Sequence, residues 1–353
     1  MDPSCKFVSI LKDSRGIVVV IVAATTLVLL GITALSIDVG HVAATKTELQ
    51  NVADGAVLAA TRQLGVLYEP MSSEQQQTYV CNPATIVASA KAVASMNSAS
   101  DVSSISINDA DVIIGQWDTT ANTFTPGLNQ PDAVRVIARR EAGANGEISN
   151  FFARIWGNNS TAVRADAIAA LTAQSTAGPG DLEIPVGISK KWFEKPEFCN
   201  QDLKFYPTNT LEGCAGWHVY DSWPANAEKL ETILEGLQSG AFQSPETAID
   251  DSFVFTGGTL GTKAFDDMLA LYNAKKDPIT GKWETLVVVY DWDDCSNPNK
   301  DIKIVGFATA IVKNVLVTPE KTIIAEVKCE NVEFGRGGGG NYGTKGSIPG
   351  LVE

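Results

Sequence analysis

Residues 17–37, IVVVIVAATTLVLLGITALSI, run for 21 positions without a charge. At about 1.5 Å of rise per residue, a helix of that length covers roughly 30 Å, the thickness of a bilayer's hydrocarbon core. Thr25, Thr26, Thr33 and Ser36 fit such a span, because a hydroxyl can return to the carbonyl one turn back. Gly31 and Ala34 form a small-residue patch without a full GxxxG repeat, so a tolerated glycine is the simpler reading. Past Ile37 the helical period continues. Val42, Leu49, Val52, Ala53, Ala56, Leu58, Ala60 and Leu64 stay apolar among Asp38, Lys46, Glu48, Gln50, Asn51 and Asp54. No proline intervenes between Pro3 and Pro70. The pattern predicts a transmembrane helix over 17–37 that continues as a stalk over 38–66.

The flanks predict its orientation. Lys6, Lys12 and Arg15 precede the span, whereas only Lys46 is basic in the 20 residues after it. That asymmetry places the N-terminal segment 1–16 in the cytoplasm and the bulk of the chain outside. A cleaved secretory signal is the alternative, but its apolar core usually spans about 7–15 residues before a small-x-small site. The present run is longer and leads directly into more helix, so a retained anchor is expected.

The chain has 353 residues and a formal net charge of −14. Without the anchor, about 310 residues remain, enough for two domains. The acidity argues against nucleic acid or anionic lipid as a partner, since both select clustered Lys and Arg. Of six cysteines, Cys5 falls on the cytoplasmic side and the other five in an oxidising space. Cys199, Cys214, Cys295 and Cys329 are expected to form two disulfides. Four cysteines allow three connectivities, of which pairing between sequence neighbours, Cys199–Cys214 and Cys295–Cys329, is expected here. Cys81 is left over, as a buried thiol or an intermolecular bond.

Beyond the span, residues 47–60 read TELQNVADGAVLAA. This stretch resembles the LQ-x-x-AD-x-A-x-LA signature of TadE/TadG-like Flp pilus-assembly proteins. Arg15-Gly16, the apolar run and Asp38-Val39-Gly40 resemble the N-terminal module of the same family, so the resemblance covers roughly residues 14–65. More loosely, Pro185-Val186-Gly187-Ile188 and Cys214-Ala215-Gly216-Trp217 are similar to longer members. Asp38, Leu49, Gln50, Ala53, Asp54, Leu58 and Ala59 are the stem residues that the resemblance marks. Two departures narrow it. The fifth position after Gly16 is Ile21, where a prepilin-peptidase substrate carries Glu, so pilin-like cleavage is not expected. The string closest to the Asp-x-Ser-x-Ser metal motif of a von Willebrand factor A domain, Asp101-Val102-Ser103-Ser104-Ile105, lacks the second serine. The resemblance thus implies a TadG-related chain without that domain.

After the stem, Tyr68–Val80 reads as a polar loop and Ala84–Met96 as a helix. Strand-like runs follow at 103–107, 111–117 and 133–139, the last alternating Val134, Val136 and Ala138 with Arg135, Ile137 and Arg139. Residues 147–156 read as a short helix with Ile148, Phe151, Phe152 and Ile155 on one face, and 161–172 as a strand or a closing helix. Residues 67–175 thus form a pilin-like α+β unit. A small-residue linker at 176–181 leads to a second, disulfide-stapled α+β or mostly-β domain over 182–334. Its predicted strands lie at 184–188, 252–255, 285–290, 302–315 and 321–328, and its helices at 225–238 and 262–272. The tail 335–353, with glycines at 337–340, is expected to bury nothing.

Chemistry is sparse. Gly338-x-Gly340-x-x-Gly343 lies in the glycine-rich tail rather than between a strand and a helix, and the 257–263 run lacks a P-loop's Gly-Lys-Ser/Thr ending. His218 and Cys214 do not make a zinc set by spacing. Asp291, Asp293, Asp294, Asn297, Asn299 and Asp301 form an oxygen-rich loop, but Cys295 breaks the EF-hand pattern, so a solvated turn is expected over a weak calcium site. With only His41 and His218 available as bases and no Gly-x-Ser-x-Gly elbow, no catalytic, cofactor-binding or metal residues are expected. The expected role is a non-enzymatic, membrane-anchored assembly component of a Flp-type pilus or adhesion apparatus. Its expected partners are the bilayer and either other Tad proteins or itself. An exported ligand- or calcium-binding module is the alternative.

Overall fold

The computed structural model describes residues 14–195, 197–205, 213–256, 261–296 and 298–352. Expectations placed on Cys5, Lys6, Lys12, the glycine turn at 257–260 and Asn297 lie outside the described residues. Helix α1 (Ser14–Tyr68) is unbroken over 55 residues. Its hydroxyls at Thr25, Thr26, Thr33 and Ser36 donate to the carbonyls of Ile21, Val22, Leu29 and Ile32, each one turn back. Among the described residues, none covers the apolar window of this helix, which is long and apolar enough to cross a membrane. Helices α2 (Ser73–Gln76) and α3 (Ala84–Ser95) follow, α2 opened by a capping box between Ser72 and Gln75.

Mixed α and β structure follows the apolar helix, as the residue patterns predict. A five-stranded sheet runs in the order β18–β6–β3–β1–β2, made of β1 (Val112–Asp118), β2 (Thr123–Pro126), β3 (Ala133–Arg140), β6 (Val163–Ala170) and β18 (Gly350–Leu351). The alternation read from 133–139 is the burial pattern of β3. The 161–172 ambiguity resolves to strand, with Val163, Ala165 and Ala167 buried and Arg164 and Asp166 exposed.

The chain forms two compact units, the first comprising residues 14–56, Ala90–Val112 and Val136–Ala167. In it, α1 turns one stripe inward: Asp38, Thr45, Leu49, Val52, Ala53 and Ala56 are buried, a three-to-four-residue spacing. Two local expectations fail here. Residues 103–107 form no strand; Ile105 and Ile107 are buried on an irregular segment whose Ile105 N–H reaches Asn97 O. Residues 147–156 form no helix. Ile148 sits in β4 (Ile148–Ser149), which pairs antiparallel with β5 (Ser160–Thr161), and only Ala153–Trp156 coils, as a 3₁₀ turn.

The second unit comprises Val57–Ser89, Ile113–Arg135 and residues 168–352. Its main sheet runs β10–β8–β13–β14–β15–β9, with β12 paired to β14. The strands are β8 (Val186–Ser189), β9 (Gln201–Lys204), β10 (Ala215–Trp217), β12 (Ser252–Val254), β13 (Trp283–Tyr290), β14 (Asp301–Leu316) and β15 (Thr322–Lys328). The centre of β13 and β14 is buried on both faces, which is why these strands read as continuous apolar runs. Helix α4 (Ala227–Ser239) packs on α5 (Thr262–Lys275), which lies against β14. The core joins Trp217 to Phe265 edge to face.

Both disulfides form, from the four expected cysteines, but in the other pairing: Cys199–Cys329 and Cys214–Cys295. Strand register decides this. β9 pairs antiparallel with β15, Gln201 opposite Val327, so continuing the ladder by two residues sets Cys199 opposite Cys329. Likewise β10 pairs with β8, Ala215 opposite Ile188, and the next row holds Cys214 and Ser189. The Ser189 hydroxyl lies 2.8 and 2.9 Å from Trp292 O and Asp294 O and holds the loop carrying Cys295 beside that row. Cys81 is a buried free thiol.

The tail is also a correction. β16 (Asn331–Arg336) and β17 (Thr344–Ile348) pair in parallel, and Thr344 and Ser347 are buried. Gln174 N–H donates to Thr344 O, and Gly339 N–H to Ala173 O. A Cβ on Gly339 would lie 2.0 Å from Gln174 O. The glycines therefore serve a close approach of two backbones rather than a free end. The small-residue segment is engaged as well: β7 (Thr176–Ala177) pairs antiparallel with β11 (Thr247–Ala248).

Gly65 follows the same logic. By sequence it ends the stem; in the structure α1 continues through it to Tyr68, and a Cβ there would lie 2.2 Å from Ser347 O. Gly65→Ala should cost about 1–3 kcal/mol despite alanine's better helix propensity, read by chemical denaturation. A stabilised variant would refute this close packing.

Candidate functional site on the stem helix

Asp38 is the first residue of the inward stripe and the first charge after the apolar run. The residue is 6% exposed. It accepts the backbone N–H groups of Phe151 at 2.7 Å, Phe152 at 3.0 Å and Ala153 at 2.6 Å, capping the 3₁₀ turn. Burial opposes its ionisation, but the three donors outweigh that and hold the carboxyl below the ordinary aspartate range. His41, one turn on, places its ring 5.1 Å from Phe151 and its Nε2 2.9 Å from Ser100 Oγ. Glu48 accepts Ser100 N–H. These contacts clamp the exit turn of α1 to two loops of the first unit.

Since the Asp38 carboxyl is depressed, its contribution is present above the ordinary aspartate range and is lost as pH falls through its lower folded value. Amide exchange at Phe151–Ala153, corrected for intrinsic rates, should therefore be protected at neutral pH and speed up below pH 4. Asp38→Asn should release these amides at all pH values. Exchange unchanged in that variant would exclude the clamp.

The other stem residues divide by role. Leu49 and Ala53 are fully buried, and Leu58 and Ala59 half-buried. Gln50 Nε2 donates to Asp54 Oδ1 at 2.8 Å and to Asp166 O of β6 at 3.1 Å. The Gln50–Asp54 pair, one turn apart, thus binds the chain's own sheet.

The remaining candidates are engaged internally. Lys190 Nζ bridges Asp291 at 2.5 Å and Asp293 at 2.8 Å, and Asp294 Oδ1 accepts the Ser296 N–H. The oxygen-rich loop thus folds around a lysine ammonium. His218 is buried against Tyr220, Phe253 and Phe255, and burial pushes its pKa down to about 3, so it stays neutral. Among the described residues, no group of three or more His, Cys, Asp or Glu side chains is placed to hold a metal ion.

Two features escaped the residue patterns. Arg140 follows the buried row of β3 in phase with Val136 and Ala138, a charge at a core position that marks a buried partner. The Phe151–Trp156 segment leaves Phe151, Ile155 and Trp156 exposed instead of folding them inward. Only the number of large apolar residues in so short a stretch pointed there.

No curated protein and no solved structure matches the chain. Two family models do. Residues 16–63 match Tad, the Flp pilus-assembly TadE/G-like family, and residues 69–169 match Tad_C, the Tad-like Flp pilus-assembly family. The first match holds the span, Asp38 and the Gln50–Asp54 pair; the second holds the clamp loop and Arg140. Residues 16–169, therefore, carry matches to two families of Flp pilus-assembly proteins, Tad and Tad_C.

Proposed function

We propose that the chain is a TadG-like structural component of a Flp-type pilus-assembly or surface-adhesion apparatus, anchored in the bacterial inner membrane. Residues 1–16 face the cytoplasm, 17–37 cross the bilayer, and the remainder stands in the periplasm or outside the cell. The observation that carries this reading is the single helix α1, uncovered along its apolar run and clamped to the head from Asp38 onward. A rigid stem of this kind suits packing against other stems, its own copies or other Tad proteins, with the head presented outside. The family matches over residues 16–169 support the pilus-assembly role and a structural rather than catalytic one.

Deletion of the gene should abolish pili or pilus-dependent adherence, restored by the intact chain. Normal piliation in the deletion strain would overturn the proposal. Protease added to intact spheroplasts should degrade the head; protection would reverse the orientation.

A further inference from the structure

The clamp at Asp38 holds an apolar loop at the end of the span. From the three amides on Asp38, the chain coils through Ala153–Trp156 and turns at Gly157, whose φ is 91°. Phe151 is 51% exposed, Ile155 72% and Trp156 71%, with Arg154 exposed between them. Four of the six residues 151–156 are large and apolar, yet among the described residues three of them stay half or more exposed. Their level along α1 is set by contacts: a groove of about 520 Å³ is lined by Leu35 and Val39 of the helix and by Ala153 and Asn158 of the loop. Leu35 belongs to the last turn of the uncharged run. The loop's exposed side chains therefore continue the exposed apolar surface of the span around its end. A bilayer explains this composition, because Trp and Phe favour the boundary between headgroups and acyl chains, and Arg extends to the phosphates.

Resting on the reading of 17–37 as a membrane span, we propose that Phe151, Ile155 and Trp156 form a second membrane contact. They insert at the headgroup–acyl boundary of the leaflet beside Asp38. The contact is apolar rather than electrostatic, in keeping with the chain's net charge of −14. With Asp38 as the hinge pin, span and loop contact the bilayer at two places, which limits tilt and rotation of the stem relative to the membrane.

The test uses the full chain in phosphatidylcholine vesicles whose acyl chains are brominated near the headgroup. Trp156 should contribute blue-shifted emission that the brominated lipid quenches, and that component should be lost in Trp156→Phe. Leu29→Trp in the Trp156→Phe background, read with lipid brominated near the ends of its acyl chains, reports the span separately. If Leu29→Trp is quenched but wild type and Trp156→Phe respond alike to brominated lipid, the loop does not touch the bilayer and the proposal falls while the anchor stands. Trp156 shielded from both brominated lipid and aqueous iodide would assign the patch to a protein partner, also overturning it. If neither Trp156 nor the Leu29→Trp reporter is quenched, the anchor reading falls and the loop's role with it.

Discussion

Replacing Cys199 and Cys329 together by serine should lower the unfolding free energy by about 3–5 kcal/mol, because the bond closes a chain segment of 130 residues. Closing so long a loop removes much of the unfolded chain's freedom. The ladder between β9 and β15 must then hold the edge of the main sheet alone. The pair Cys214 and Cys295, 81 residues apart, should give a similar loss. Denaturant titration of the two double variants measures both effects. A non-reducing peptide map should yield one peptide pair joining positions 199 and 329 and another joining 214 and 295. A peptide joining Cys199 to Cys214 would refute the register from which the pairing follows. Cys81 should alkylate only after unfolding, since it is buried and desolvation pushes its thiol up.

Arg140→Met should cost about 2–4 kcal/mol, although methionine suits the apolar row of β3. The arginine is only 2% exposed and spends its planar fork on four acceptors, the longest contact being Nη2 to Glu147 O at 3.5 Å. Nη1 donates to Ala99 O at 2.7 Å, Nε to Gly146 O at 2.9 Å and Nη2 to Asp101 at 2.8 Å. Methionine would leave buried carbonyls short of donors, and two loops would lose their common tie. Asp101→Asn offers the contrast. Its side chain is 73% exposed, so the ion pair itself should be worth less than about 1 kcal/mol. Equal losses in the two variants would show that the salt bridge, not the carbonyl network, holds this region.

Much of the molecule is legible in its residues alone. The apolar run at 17–37, long enough to cross a membrane, is a property of composition over a fixed length. The stem follows from a 3.6-residue period that no proline interrupts, and the buried central strands follow from their continuous apolar runs. The stem signature pointed to the Tad families, and the redox environment pointed to the four bonded cysteines. All of this is local information, carried by neighbours in the chain.

What remained depends on residues far apart in sequence. Which cysteine meets which follows from strand register, and register is decided by ladders between β9 and β15 and between β10 and β8. The tail glycines looked free because their partner is another backbone, not a side chain. Residues 147–156 carry a helical apolar pattern, yet β5 claims Ile148 and Asp38 claims the amides of Phe151–Ala153. The sequence alone determined a long apolar helix that runs into a Tad-like stem, and the cysteines that staple the chain. Only the tertiary structure decided what Asp38 holds, because three amides more than 110 residues away compensate the charge that local sequence could merely place at the end of the span.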